Sequence, residues 1–191
     1  MLDGQDLWVF GYGSLMWRPG FDPVEQVPAR VNGWHRSLCV YSWVHRGTRE
    51  HPGLVLGLDR GGACRGLAFR VEAAKAAAVL AYLREREQVT AVYREMVRPA
   101  ALADGSGRIV PALFYVVDRS HPQYAGKLAL PDLLRHVRQG RGISGANPDY
   151  VLNTADHMAG LGIRDGLIEA LAADLRVRPG HSPAQDVDDV E

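Results

Sequence analysis

Apolar and polar positions along the first two thirds of the chain fall into short runs separated by turn residues. Leu7 to Phe10, Trp34 to Trp43, Leu54 to Leu58, Cys64 to Val71, Val92 to Arg98 and Ile109 to Val117 read as strands. One stretch interrupts them. From about Glu72 to Glu87 alanine is abundant, and Ala76, Val79, Leu80 and Leu83 recur at i, i+3, i+4 and i+7, the stripe of an amphipathic helix. Beyond Pro131 the pattern turns helical, over Asp132 to Gln139, from Asn147 onward, and over Asp165 to Leu175. Asn147 reads as an N-cap with Pro148 in the first turn. Strands first and helices later predict an α+β domain over residues 1–178, a curved mixed sheet or small barrel covered by helices. Residues 179–191 are polar and acidic, with Pro179, Gly180 and Pro183, and are expected to form a flexible tail.

Composition narrows the partners. With 191 residues the chain suits one well-buried domain, and 47% apolar against 23% charged residues predicts a soluble globular protein. Twenty-two basic residues balance 22 acidic ones, which leaves no electrostatic footprint for nucleic acid or an anionic membrane and favours a small molecule. No apolar run is long enough to span a bilayer, and Met1 to Asp6 carries neither a basic region nor a signal core. Cys39 and Cys64 each sit in apolar, strand-like surroundings, so two buried thiols in the reducing cytoplasm are expected rather than a disulfide.

Two features point to chemistry. The strand Leu7 to Phe10 ends abruptly in Gly11-Tyr12-Gly13-Ser14-Leu15, where two glycines let the backbone turn sharply. Amides freed at such a turn make a nest for a carboxylate or an oxyanion, although a plain hairpin turn would also account for an isolated Gly-x-Gly. The second feature is the helix ending at Glu87. At about 100° per residue Glu87 lies near the apolar stripe, some 40° from Leu83, while Glu85 faces solvent. An inward carboxylate is costly unless paired or used, and burial raises its pKa toward the range where it exchanges protons near neutrality. A structural role remains open at this point, with Glu87 capping the helix or pairing with Arg86 or Arg94.

Set in order, Trp8-Val9-Phe10-Gly11-Tyr12-Gly13-Ser14-Leu15-Met16-Trp17-Arg18-Pro19, Gly33-Trp34-His35-Arg36, Arg46-Gly47-Thr48 with Pro52-Gly53, Arg86-Glu87 with Tyr93, and Ser144-Gly145 with Asn147 and Tyr150 resemble the ChaC family of glutathione-specific γ-glutamylcyclotransferases. The resemblance covers roughly Leu7 to Gly162. It implies a small mixed β-barrel with flanking helices, and conversion of glutathione to 5-oxoproline and cysteinylglycine without metal or organic cofactor. It places the catalytic glutamate on Glu87, the ligand-cradling loop on Tyr12, Gly13, Ser14 and Leu15, and pocket-lining phenols on Tyr93 and Tyr115. Two positions depart from the family's usual pattern. Ala91 and Val92 stand where many members have a glycine pair, and Leu54 stands where many have arginine after the Pro-Gly. The second departure leaves room for other γ-glutamyl amides or peptides as substrates. A catalytically silent γ-glutamyl-binding protein is a third reading, which retention of Glu87 opposes.

Other motifs carry less. A dinucleotide loop would need a third glycine at Met16. Gly142-Ile143-Ser144-Gly145-Ala146 nearly fits a nucleophile elbow but lacks a preceding strand. Cys39 and Cys64 lie in surroundings that suit inert thiols, and His45 and His51 have no further soft ligands nearby for zinc. Trp8, Trp17, Trp34 and Trp43 are expected in core and pocket wall.

Overall fold

All five residues of Leu7–Gly11 (β1) are buried, which is why they read as an unbroken apolar run. β1 runs antiparallel to Gly53–Val71 (β3), with Val9 opposite Phe69, and parallel to Ile109–Val117 (β5), with Val9 opposite Leu113. Glu25–Ser42 (β2) and Tyr93–Leu102 (β4) complete a closed mixed barrel in the order β1-β3-β2-β4-β5. Ala73–Glu87 forms α1. Leu130–Gln139 (α2), the short hairpin Arg141–Gly142 (β6) with Gly145–Ala146 (β7), Asn147–Gly160 (α3) and Gly166–Val177 (α4) follow. The computed structural model describes residues 4–87 and 90–177, so the tail expected over 179–191 lies outside the described residues.

The chain divides into two compact units. One takes the residues up to Ser37 together with Leu56–Tyr124, and the other takes Leu38–Val55 with the residues from Ala125 onward. In the first, Phe10 meets Phe114 edge-on at 6.0 Å between ring centroids, and Val9, Phe69 and Leu83 are fully buried around them. In the second, α2, α3 and α4 bury Leu133, Val137, Val151, Met158, Ile168 and Leu171. No helix among the described residues is long and apolar enough to cross a membrane.

Several elements differ from the sequence expectation. β2 begins at Glu25 rather than Trp34, with Val27, Ala29 and Val31 inside and exposed residues between them. β3 is one strand where two were expected. Gly61 (φ +102°) and Gly62 (φ +68°) are left-handed, yet the strand runs on through them. β4 runs past Arg98 because Pro99 faces Pro111 of β5, so two residues without N–H groups occupy one cross-strand pair. Asn147 is not an N-cap. Ala146 holds that position, and Asn147 is the first helical residue, its side chain engaged elsewhere.

Candidate active site

The first glycine turn lies wholly in the first unit. A Cβ on Gly11 would press to 3.1 Å on both the Leu15 side chain and the Phe69 ring, so this corner of the chain leaves no room for a side chain. Ser14–Met16 then wind into a single 3-10 turn whose first bond joins the Met16 amide to the Gly13 carbonyl at 2.9 Å. The amides of Gly13, Ser14 and Leu15 precede that bond, where a helical turn presents its N–H groups. Tyr12, Gly13 and Leu15 are buried, and Ser14 is half-buried.

Two arginines hold this loop. Arg36 Nε donates to the Tyr12 carbonyl at 2.6 Å, and its Nη2 donates to the Arg65 carbonyl at 2.7 Å. Arg86 Nη1 donates to the Arg18 carbonyl at 2.5 Å, and its Nη2 donates to Ser14 Oγ at 3.0 Å. Gly20, left-handed at φ +78°, lies under the Tyr82 hydroxyl so closely that a Cβ would collide with it, which seats the end of the loop on α1.

Glu87 closes α1. Leu83 is fully buried and Glu85 exposed, while the Glu87 side chain keeps only 18% of its surface. Arg86 Nε stands 3.2 Å from Glu87 Oε1. Burial pushes the Glu87 carboxyl above the ordinary carboxylate range, and the Arg86 charge opposes that push. Arg94, the other candidate partner, pairs with Asp118 at 2.5 Å.

The two tyrosines share one face of the β4–β5 ladder. Tyr93 and Glu95 alternate along β4, opposite Val117 and Tyr115. The Tyr93 hydroxyl donates to the Leu56 carbonyl at 2.7 Å, and the Leu56 side chain lies 3.6 Å from where a Gly13 Cβ would stand. The phenol and the glycine turn thus meet at one residue. Tyr115 Oη is buried and makes no hydrogen bond among the described residues. Burial, reinforced by the carboxylates of Glu95 and Glu87, drives its pKa well above that of an ordinary phenol.

Sequence reading missed Glu95 and the loop-holding arginines. Arg84 grips Glu95 through Nε at 2.8 Å and Nη2 at 2.9 Å, and this pairing holds the Glu95 carboxyl below its ordinary range. The surroundings thus push the two carboxyls in opposite directions, Glu95 down and Glu87 up. Arg36 lies within the Gly33–Arg36 motif, which was the available signal, but its acceptors are 24 and 29 residues away.

The remaining motif residues build the second unit. Asn147, fully buried, accepts from the Leu54 amide at 2.6 Å and donates to the Leu54 carbonyl at 2.8 Å. Arg46 donates to the Ala146 carbonyl at 3.2 Å and stacks over Tyr150 at 5.4 Å. Ser144 lies in the turn between β6 and β7, 2.9 Å from His45 Nδ1, and not at a strand-to-helix elbow. Among the described residues no three His, Cys, Asp or Glu side chains gather into a metal-sized group.

A closed five-stranded mixed barrel with flanking helices is the fold of the γ-glutamylcyclotransferases. A crystal structure of a glutathione-specific γ-glutamyl cyclotransferase from yeast superposes with a TM-score of 0.82 at 21% identity, covering 92% of this chain and 98% of that one. The glutathione-specific γ-glutamylcyclotransferase of Escherichia coli is 32% identical over 172 residues, 90% of this chain and 74% of its own. Glutathione-specific γ-glutamylcyclotransferase 1 of Homo sapiens is 34% identical over 158 residues, covering 82% of this chain and 71% of its own. The chain belongs to the ChaC-like protein family, whose model matches residues 7–178.

Proposed function

We propose that this chain is a γ-glutamylcyclotransferase that cleaves glutathione to 5-oxoproline and cysteinylglycine, with Glu87 as its acid and base. The reaction is an intramolecular aminolysis. The α-amine of the γ-glutamyl group attacks its own γ-carbonyl, a lactam C–N bond forms, and the bond to the cysteinyl nitrogen breaks. Nucleophile and electrophile are already tethered, so the protein must fold the glutamyl chain and move protons. At neutral pH the α-amine is an ammonium. Glu87 takes a proton from it and later returns one to the departing nitrogen; the second proton that the cyclising nitrogen sheds leaves with the freed cysteinylglycine amine, which departs as an ammonium, so Glu87 ends as it began. The observation that carries this reading is the withdrawn Glu87 carboxylate, raised by burial and joined through Arg86 to the turn at Ser14.

The amides of Gly13, Ser14 and Leu15 suit the substrate's α-carboxylate or the oxyanion, with Tyr12 buried at the start of that turn. Tyr115, whose buried hydroxyl makes no hydrogen bond among the described residues and lies on the strand pair opposite Glu95, is the phenol assigned to the substrate, while Tyr93 fixes the wall at Leu56. Buried free Cys39 and Cys64 suit a reducing cytoplasm, where glutathione is plentiful. A second reading, cyclisation of other γ-glutamyl amides, draws on the departure from the family's usual pattern at Leu54, an aliphatic in place of a charged residue.

Incubation with glutathione and a panel of γ-glutamyl dipeptides, with detection of 5-oxoproline, tests both. Glutathione turnover is expected, falling on the order of a hundredfold or more in Glu87→Gln. Undiminished release by Glu87→Gln removes the acid and base role. Turnover of the panel with glutathione inert establishes the second reading instead.

A further inference from the structure

The guanidinium of Arg86 touches both Glu87 and the glycine turn at Ser14, and it does so from one rigid plane. Its Nε faces Glu87 Oε1 at 3.2 Å, its Nη2 meets Ser14 Oγ at 3.0 Å, and its Nη1 reaches the carbonyls of Arg18 at 2.5 Å and Pro19 at 3.3 Å and the Tyr82 hydroxyl at 3.0 Å. Its side chain is 23% exposed, so these contacts lie largely out of water.

The direction of one of these bonds matters. A guanidinium has only donors, so the bond to Ser14 runs from arginine to the serine oxygen. It occupies a lone pair of Oγ and prevents the serine hydrogen from pointing back at Arg86. That hydrogen is therefore directed away from the guanidinium and is available to another acceptor. A hydroxyl oriented by a cation in this way is a preset donor for an anion.

We propose that Arg86 is the positioning residue of this site, locking Glu87 at a fixed separation from the glycine turn and reserving the Ser14 hydroxyl hydrogen for the α-carboxylate of a γ-glutamyl substrate. The inference rests on the cyclotransferase reading. It adds a specific donor, Ser14 Oγ, and a residue that acts only through others. Lysine cannot substitute. A single ammonium nitrogen has no fork with which to reach Ser14, Glu87 and the Arg18 carbonyl together.

The test is a double-mutant cycle of Arg86→Gln and Ser14→Ala, read in two ways. Binding of glutathione is measured by calorimetry in the Glu87→Gln background, where substrate is not consumed, and KM and kcat are measured with Glu87 present. Ser14→Ala alone is expected to weaken binding about tenfold, as the loss of one hydrogen bond to a charged group does. With Arg86→Gln already in place, the same change is expected to cost less than twofold. Arg86→Gln is expected to lower kcat as well as raise KM, because Glu87 loses its anchor, whereas Ser14→Ala acts mainly on KM. Arg86→Lys keeps the charge and serves if Arg86→Gln fails to fold, and it too is expected to abolish the coupling. If Ser14→Ala costs the same tenfold with either substitution at 86, Arg86 does not orient Ser14 and the proposal is overturned while turnover by the parent keeps the cyclotransferase reading intact. If the parent releases no 5-oxoproline from glutathione, the reading fails and the proposal fails with it.

Discussion

Glu87 and Glu95 stand eight residues apart, and their surroundings push them in opposite directions. Arg84 meets Glu95 through two nitrogens and keeps it ionised, while Glu87 has one contact with Arg86 and pays for its burial. The stability consequence has a definite sign. A carboxyl raised by folding binds its proton more tightly in the folded chain than in the unfolded one, so stability falls as pH climbs from the ordinary carboxylate value through the raised one. Glu87→Gln removes that ionisation. Its urea midpoint is expected to exceed the parent's by a margin that widens as pH rises above the ordinary carboxylate range, and a margin that stays flat would show that Glu87 is not strained by burial. Ala91 is a second strained residue, a non-glycine left-handed at φ +57°. Ala91→Gly relieves a cost of about 1–2 kcal/mol. Part of that is lost to the freer unfolded chain, leaving an expected gain of about 0.5–1 kcal/mol by urea unfolding. At this scale the sequence reveals what periodicity can encode. Counting along α1 singles out Glu87 from Glu85, but nothing local announces that Arg84 reaches Glu95, or that Arg36 reaches the Tyr12 carbonyl, because those partners meet only once the barrel closes.

Elements with a clean period were legible, and those whose signal was interrupted were not. β5 occupies the expected residues Ile109–Val117, and α1 starts within one residue of its expected position. The first half of β2 does alternate, at Val27, Ala29 and Val31, but the small Ala29 and the intervening Pro28 weaken the pattern. The residues between Leu58 and Cys64, with Gly61 and Gly62 among them, read as a turn from sequence alone, whereas the strand continues through them. Asn147 was misassigned for a related reason. An Asn-Pro at a helix start suggests a cap, and its true partner, the Leu54 peptide, lies 93 residues away. Removing that partner leaves a buried N–H and a buried carbonyl without bonds, each worth about 1–3 kcal/mol. Asn147→Ala is therefore expected to lower stability by about 2–4 kcal/mol in denaturant unfolding, and a loss under 1 kcal/mol would mean that water reaches Leu54.

At the scale of the whole molecule, the free thiols of Cys39 and Cys64 are both buried, at 0% and 2% exposure. An aromatic disulfide reagent is expected to label neither in the native protein and both in strong denaturant, and its melting temperature is expected to be indifferent to reductant. Rapid labelling of the native chain would place at least one cysteine at the surface. The balance of 22 basic and 22 acidic residues leaves little net charge to hold copies apart near neutral pH. The side chain of Asn147 has a further significance. Its amide offers Leu54 the same donor and acceptor that a neighbouring strand would, so it serves as a one-residue stopper on that length of backbone. Both polar groups of the Leu54 backbone are thus satisfied inside the second unit by a single side chain, with Leu54 itself fully buried.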